Sequence, residues 1–323
     1  MKTYKILAND GIDAVAKSIL EREGFEVDTT HYKPVEFARQ LPLVDAITVR
    51  SATQITKELI DLAPRLSLIG RGGVGMDNID VAYALSKGIK VINTPAASSL
   101  SVAELVFAHL FSGIRFLYDA NRKMPIEGNT RFAALKKAYS QGTELRGKKM
   151  GIVGFGRIGQ EVGRIALGLG MDVMAFDLYA VPETLKVKFT HGIEVDLPVR
   201  KVEFDILLAE ADFISFHVPH TQAPILGKAE FNKLKASVGL INTSRGSAID
   251  EDELLLALND GRVGFAGLDV FNNEPTPKNE LLIHPKISLS PHIGAATSEA
   301  QERIGVELAD QIIAHFRHVE ETL

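Results

Sequence analysis

The chain has 323 residues, 46% of them hydrophobic, a formal net charge of -5 and no cysteine. Such a length predicts two domains rather than one core. The mild acidity gives no electrostatic case for nucleic acid or an anionic membrane as partner, and the lack of cysteine excludes a disulfide framework, a thiol nucleophile and thiolate-bound zinc.

In chain order, the apolar stretch of Ile6, Leu7 and Ala8 is too short for a signal peptide. No later run approaches about 18 uninterrupted apolar residues, so a cytoplasmic location is the default expectation. Residues 4–8, 26–28, 46–49, 67–70 and 90–93 read as strands, and the segments after Asp10, Thr56 and Asn78 as helices. Five strands with crossovers predict a parallel sheet of their own. Residues 101–121 follow as one largely apolar helix through Val102, Leu105, Val106, His109, Leu110, Gly113 and Leu117, with Ser98, Ser99 or Ser101 as its cap. A helix apolar on most sides is usually buried at a domain or subunit interface, which favours a homodimer. Residues 123–142, with Pro125, Gly128 and scattered Arg and Lys, read as an irregular excursion; Lys136 and Lys137 there would reach a partner's cleft in a dimer.

Residues 151–177 then spell a strand, a glycine turn, a helix and a second strand ending in an acid. Gly154 permits the tight turn, Gly156 lets the backbone approach a pyrophosphate, and Gly159 lets the helix pack on the sheet. A glycine turn alone also joins strands to helices for steric reasons. Here the apolar Ile152 and Val153 precede it, Ile158, Val162, Ile165, Ala166 and Leu169 recur at helical spacing after it, and residues 173–176 form a buried-strand run. Phosphates would sit on unpaired amides at the helix N-terminus. Asp177 stands where an acid accepts from the ribose hydroxyls and repels a 2′-phosphate, so the cofactor is expected to be NAD rather than NADP.

Further buried strands are expected at 213–216, 238–242, 264–269 and 287–289, and a last helix at 298–316 crosses back to the first domain. Hinges near 96–100 and 293–298 divide the chain into a discontinuous domain, 1–97 with 295–323, and a dinucleotide-binding domain, 98–294. Four clusters fall at strand ends, where open parallel sheets bind ligands. They are Arg50-Ser51, the turn Gly70 to Gly75 containing Arg71, the run Asn242 to Gly246, and Asp269 to Pro275 followed by Ser290-Pro291-His292-Ile293-Gly294. Singly, each charged residue could be surface charge, and His292 a satisfied buried histidine. The histidine pairs His217/His220 and His315/His318 lack further ligands, so no metal is expected.

Together these motifs resemble the D-isomer-specific 2-hydroxyacid dehydrogenase family, over essentially the whole chain, and within it the short D-3-phosphoglycerate dehydrogenases that lack a C-terminal regulatory domain. The motifs at 70–80, 101–104, 154–159, 242–246, 269–275 and 291–294 carry the resemblance. It implies an α/β fold of two doubly wound parallel-sheet domains, a Rossmann-type NAD-binding domain and a flavodoxin-like substrate domain. It also implies His292 as acid/base, Glu274 as its carboxylate partner and Arg245 as the substrate-binding arginine. Cofactor contacts carried over are Arg157 and Ile158 on the pyrophosphate, Asp177 on the ribose, His217, Val218 and Thr243 on the nicotinamide side, Asp269 near the carboxamide, and Gly294 with Ala295. The implied activity is NAD-dependent oxidation of D-3-phosphoglycerate, the first step of serine biosynthesis.

The chemistry is coherent without the family. Oxidising a 2-hydroxy acid passes a hydride from C2 while a proton leaves the hydroxyl, so a base that titrates near neutrality is needed, and histidine is one. A neighbouring carboxylate favours the imidazolium, which suits proton donation when the keto acid is reduced. An arginine can hold the substrate carboxylate through two parallel bonds. A phosphorylated substrate needs a second basic, amide-rich pocket, expected from Arg50, Ser51, Arg71, Gly73 and Val74. Ser98 stands where the family usually has a substrate-contacting Asn. The alternatives are a hydroxypyruvate, glyoxylate or other 2-keto acid reductase and, further off, a non-catalytic NAD-sensing module.

Overall fold

Five short apolar runs alternating with helix-forming segments build the first unit of the computed structural model, which describes residues 3–321. Strands β1 (Lys5–Ala8), β2 (Glu26–Asp28), β3 (Ala46–Val49), β4 (Leu68–Arg71) and β5 (Lys90–Asn93) lie in the order β2-β1-β3-β4-β5, all parallel. Helices α1 (Ala14–Arg22), α2 (Pro34–Gln40), α3 (Lys57–Asp61) and α4 (Val81–Ser86) form the crossovers. The sequence reading lacked α2, which Pro34 starts at its first position and Phe37 anchors by burial. Because successive side chains point to opposite faces, Leu7, Ile47 and Ile69 pack on one side of the sheet, and Ile6, Ala46 and Leu68 on the other. That second side is closed by a terminal helix, Ser298–Glu321, through Leu308, Ile312 and Phe316, the last with its ring centroid 4.3 Å from that of Tyr4 and tilted by 35° to it. The helix runs beyond its expected end at residue 316.

The first unit runs through Ser99 and resumes at Ala295, while the second spans Leu100–Gly294. Its entry is α5 (Ser99–Ile114) and α6 (Leu117–Ala138), which differ from expectation twice. The single helix expected at 101–121 is two, bent by 57° at Phe116, whose φ is +58°. The stretch expected to be irregular at 123–142 is mostly helix despite Pro125. Ion pairs one turn apart, Asp119 with Lys123 at 2.8 Å and Glu127 with Arg131 at 2.6 Å, support it; the helix is kinked at Arg131, and only residues 139–142 lie beyond its end.

After α6 come β6 (Lys149–Val153), α7 (Arg157–Gly168), β7 (Asp172–Phe176), a hairpin of β8 (Thr184–Lys188) and β9 (Glu194–Pro198), β10 (Arg200–Lys201), α8 (Phe204–Glu210), β11 (Phe213–Phe216), α9 (Lys228–Phe231), β12 (Val238–Asn242), α10 (Glu251–Asp260), β13 (Val263–Leu268), α11 (Asn279–Ile283) and β14 (Ile287–Leu289). Seven strands form one parallel sheet in the order β10-β7-β6-β11-β12-β13-β14. Its reversal between β6 and β11 is the point where doubly wound sheets bind ligands. Ile152, Ile241 and Phe265 on one face meet Val106 and Leu110 of α5, and Ile214, Leu240 and Ala266 on the other meet Leu254 and Leu258 of α10. Each of the larger side chains, Ala266 excepted, contributes about 1.5–3 kcal/mol by burial. Among the described residues, no single helix is long and apolar enough to cross a membrane.

Candidate active site

In the second unit the functional side chains sit on loops after parallel strands. The turn after β6 begins at Gly154, with φ +88°, where a Cβ would lie 2.3 Å from the His217 carbonyl oxygen. A Cβ on Gly159 would lie 2.2 Å from the Gly154 carbonyl, whereas one on Gly156 would meet nothing within 4 Å. Two glycines therefore close the turn, and the third leaves open space before it. Gly156 is also the N-cap of α7 and offers no side chain to the first-turn amides of Arg157 and Ile158, so an anion has donors waiting. Asp177, just past β7, accepts from the Phe155 amide at 2.5 Å and the Tyr179 amide at 2.9 Å, which fixes its carboxylate beside that turn. The open glycine, the uncapped helix and the anchored acid fit an NAD molecule laid across the strand ends.

His217 is the end of β11 continued. Its amide bonds to Val153 and its ring Nε2 lies 2.8 Å from Ser215 Oγ, and burial pushes the imidazole down to about 3. Its Nδ1 and the buried Thr243 Oγ1 have no hydrogen-bond partner among the described residues. Val218 is half-buried beside Gly154.

The loop after β12 is tied by Asn242, whose side chain donates to the Arg245 carbonyl at 2.8 Å and accepts from the Ser244 amide and hydroxyl. That fixes the backbone from which Arg245 projects, with Nη1 donating to the Ser244 carbonyl at 2.7 Å. Glu274 accepts from the Phe271 amide at 2.9 Å through one oxygen and from His292 Nδ1 at 2.7 Å through the other. Burial opposes its charge, yet the bonds from His292 and the Phe271 amide, with Arg245 nearby, hold its carboxyl below the usual range. Since a carboxylate accepts, Nδ1 of His292 donates, and Nε2 remains to exchange a proton. The three residues named from sequence are thus in electrostatic reach of one another. His292 has φ +55°, a left-handed backbone that is uncommon outside glycine.

Asp269 is fully buried and accepts from Ser290 Oγ at 2.5 Å, the Ile293 amide at 2.9 Å and the Gly294 amide at 2.8 Å. Its carboxylate therefore braces the turn that carries His292. Sequence reading placed Asn242 and Ser290 in strand-end clusters without a role of their own and gave none to His109, a polar residue on an otherwise apolar helix face, the one signal available for it.

In the first unit, the Arg50 amide donates to Asp10 at 2.8 Å and its carbonyl accepts from Asn78 at 2.9 Å, leaving the side chain and Ser51 exposed. Arg71 folds over its own turn, donating to the Gly72 carbonyl at 3.1 Å and covering Gly73. The Val74 carbonyl is held by Asn93 at 2.7 Å, and the amides of Gly73, Val74 and Gly75 meet no acceptor among the described residues. Ser98 is buried, its Oγ without a partner among the described residues. Ala295, whose carbonyl accepts from Gln301 at 2.6 Å, also belongs to this unit.

Comparison with known proteins joins these observations. The sequence model of the D-isomer specific 2-hydroxyacid dehydrogenase, NAD binding domain, matches residues 107–294. The chain is 42% identical to the hydroxypyruvate reductase of Thermotoga maritima, over 97% of this chain and 98% of that one. It is 37% identical to the D-3-phosphoglycerate dehydrogenase of Archaeoglobus fulgidus over 96% of this chain, but it spans only 56% of that protein's length. Among solved structures, a glyoxylate reductase from Paecilomyes thermophila superposes with a TM-score of 0.81 at 29% identity, covering 97% of this chain and 95% of that one. A D-lactate dehydrogenase from Aquifex aeolicus, complexed with NAD and lactic acid, gives 0.76 at 28% identity, covering 99% and 97%. The chain therefore belongs to the D-isomer specific 2-hydroxyacid dehydrogenase family and is an NAD(H)-dependent enzyme of that family.

Proposed function

We propose that the chain oxidises D-3-phosphoglycerate to 3-phosphohydroxypyruvate and catalyses the reverse reduction, the first oxidative step of serine biosynthesis. The observation that carries the chemistry is the 2.7 Å bond from His292 Nδ1 to Glu274. Glu274 orients the ring and stabilises the imidazolium that forms when Nε2 takes the hydroxyl proton, and the same Nε2 returns it in reduction. Arg245 grips the substrate carboxylate and polarises the oxygen on C2. The amides of Arg157 and Ile158 would hold the pyrophosphate of NAD(H), Asp177 its ribose, and Val218 and Thr243 would line its nicotinamide side, where the bound cofactor would supply hydride acceptance from C2 and, in reverse, donation to it.

The phosphate is assigned to Arg50, Arg71 and the uncommitted amides of Gly73 and Val74, with Ser51 and Ser98 as further substrate contacts. A second reading, reduction of hydroxypyruvate or glyoxylate, is favoured by the full-length match to a hydroxypyruvate reductase. The ratio of kcat/KM for 3-phosphohydroxypyruvate to that for hydroxypyruvate, measured with NADH and NADPH, decides between them. A ratio below one removes the phosphate assignment. A purely NAD-sensing role is disfavoured because Arg245, Glu274 and His292 are all present and engaged. The exposed Leu117, Ile126 and Phe132 of α6 support a homodimer, which light scattering of the purified chain tests.

A further inference from the structure

We infer that His109 is a positioning residue of the active site, holding the His292 turn through a directed chain of buried hydrogen bonds. This rests on the proposed role of His292 as proton carrier. The imidazole of His109 projects from α5 over β13, where Gly267 makes room for it: a Cβ there would lie 2.6 Å from His109 Cβ. The ring is buried, with Nδ1 2.9 Å from Ser288 Oγ and Nε2 2.9 Å from Ser290 Oγ.

Donor counting fixes the direction of the chain. Asp269 can only accept, so the single hydroxyl proton of Ser290 is committed to it. Ser290 Oγ must then accept from His109, which makes Nε2 the protonated nitrogen. Nδ1, left bare, accepts the Ser288 hydroxyl proton. The relay therefore runs Ser288 to His109 to Ser290 to Asp269, and Asp269 takes the amides of Ile293 and Gly294 directly after His292. Burial disfavours a second proton on His109, against the opposing pull of Asp269, in keeping with a neutral ring. The terminus of the relay matters because His292 has φ +55°. A non-glycine residue in that region relaxes unless its surroundings hold it. His109 braces the bracing residue: without its N–H, Ser290 can turn its hydroxyl elsewhere and Asp269 loses a fixed partner.

The test uses the full-length protein loaded with NADH. Long-range 1H–15N spectra at neutral pH should show His109 as the neutral Nε2–H tautomer; an Nδ1–H or doubly protonated ring overturns the relay, whatever the variants do. In kinetics, His109→Leu should lower kcat about tenfold while the NADH Kd stays within about twofold, the size expected from one lost buried hydrogen bond acting on the reacting geometry. His109→Gln, whose terminal amide can still donate to Ser290, should recover most of the loss. Native kcat in His109→Leu, or equal impairment of the two variants, overturns the inference. His292→Asn is run beside them: if it keeps native kcat, the proton-carrier reading is what fails, and the inference falls with it.

Discussion

The turn after β6 and the turn after β4 are both glycine-rich and both follow buried parallel strands, yet only the first runs directly into a helix. The turn from Gly154 leads into α7, so its open amides are backed by a helix N-terminus and by Gly154 and Gly159, which admit no side chain. After β4, five residues follow Gly75 before α4 begins at Val81, and the last of them, Asp80, caps that helix itself. There the amides of Gly73 and Val74 lack a helix dipole, and the Arg71 side chain covers Gly73 instead. One turn is a backbone device and the other a side-chain device. The difference teaches that backbone substitutions should harm the first and charge removal the second, with the proposed proton carrier His292 in the unit that holds the first.

The largest effect tests that assignment. His292→Asn should lower kcat by about 10²–10⁴, the range of general acid–base catalysis, with NADH affinity little changed. A kcat near native would show that the proton moves through another group. Next, Arg71→Gln should raise KM for 3-phosphohydroxypyruvate by about 10- to 100-fold, the worth of a charge-assisted bond, and leave KM for hydroxypyruvate and the NADH Kd alone. Equal changes for both keto acids would move Arg71 from the phosphate to the carboxylate. Gly159→Ala is the backbone counterpart. Its Cβ would lie 2.2 Å from the Gly154 carbonyl, so the turn must shift, at about 1–3 kcal/mol, and NADH binding should weaken with it. Native NADH affinity in that variant would mean the turn has slack, and the contrast with the β4 turn would vanish.

How much of this was legible before coordinates follows from the range of the forces involved. Strand runs and the glycine turn are local, so both sheets, and the residues at their ends, could be read from spacing alone. Segment 123–142 could not, because Pro125 and Gly128 are breakers by local rule, and the ion pairs that keep α6 helical needed the helix to exist first. The β8–β9 hairpin was missed for a similar reason. Leu185 and Val187 alternate with lysines over only a few residues, and Leu185 is buried by packing on α7 at Gly163, a contact no window contains. Arg245, Glu274 and His292 were named by resemblance, but the brace of Asp269 on the His292 turn joins residues 24 and 25 apart through side-chain to backbone bonds, beyond any periodic signal.

A smaller effect sharpens the same comparison from the side of stability, since His217 supports the β6 turn. Its carbonyl packs against Gly154 and its ring is buried, with the imidazole pushed down to about 3 by loss of water. In the unfolded chain the same group titrates near 6.5. Below that pH the unfolded state binds a proton that the folded state refuses, so stability is full above 6.5 and falls as the pH drops towards 3. One such group contributes a slope of about 1.4 kcal/mol per pH unit. His109, His284 and His315 act in the same direction, while the depressed carboxyls of Asp212 and Glu274 add to the loss only below their ordinary range, nearer pH 4. Urea unfolding between pH 6.5 and 5 therefore isolates the histidines. His217→Gln should flatten the slope by about one proton's worth. An unchanged slope would mean that His217 is solvated in the native protein, and that the β6 turn is held by its glycines without the buried ring beneath it.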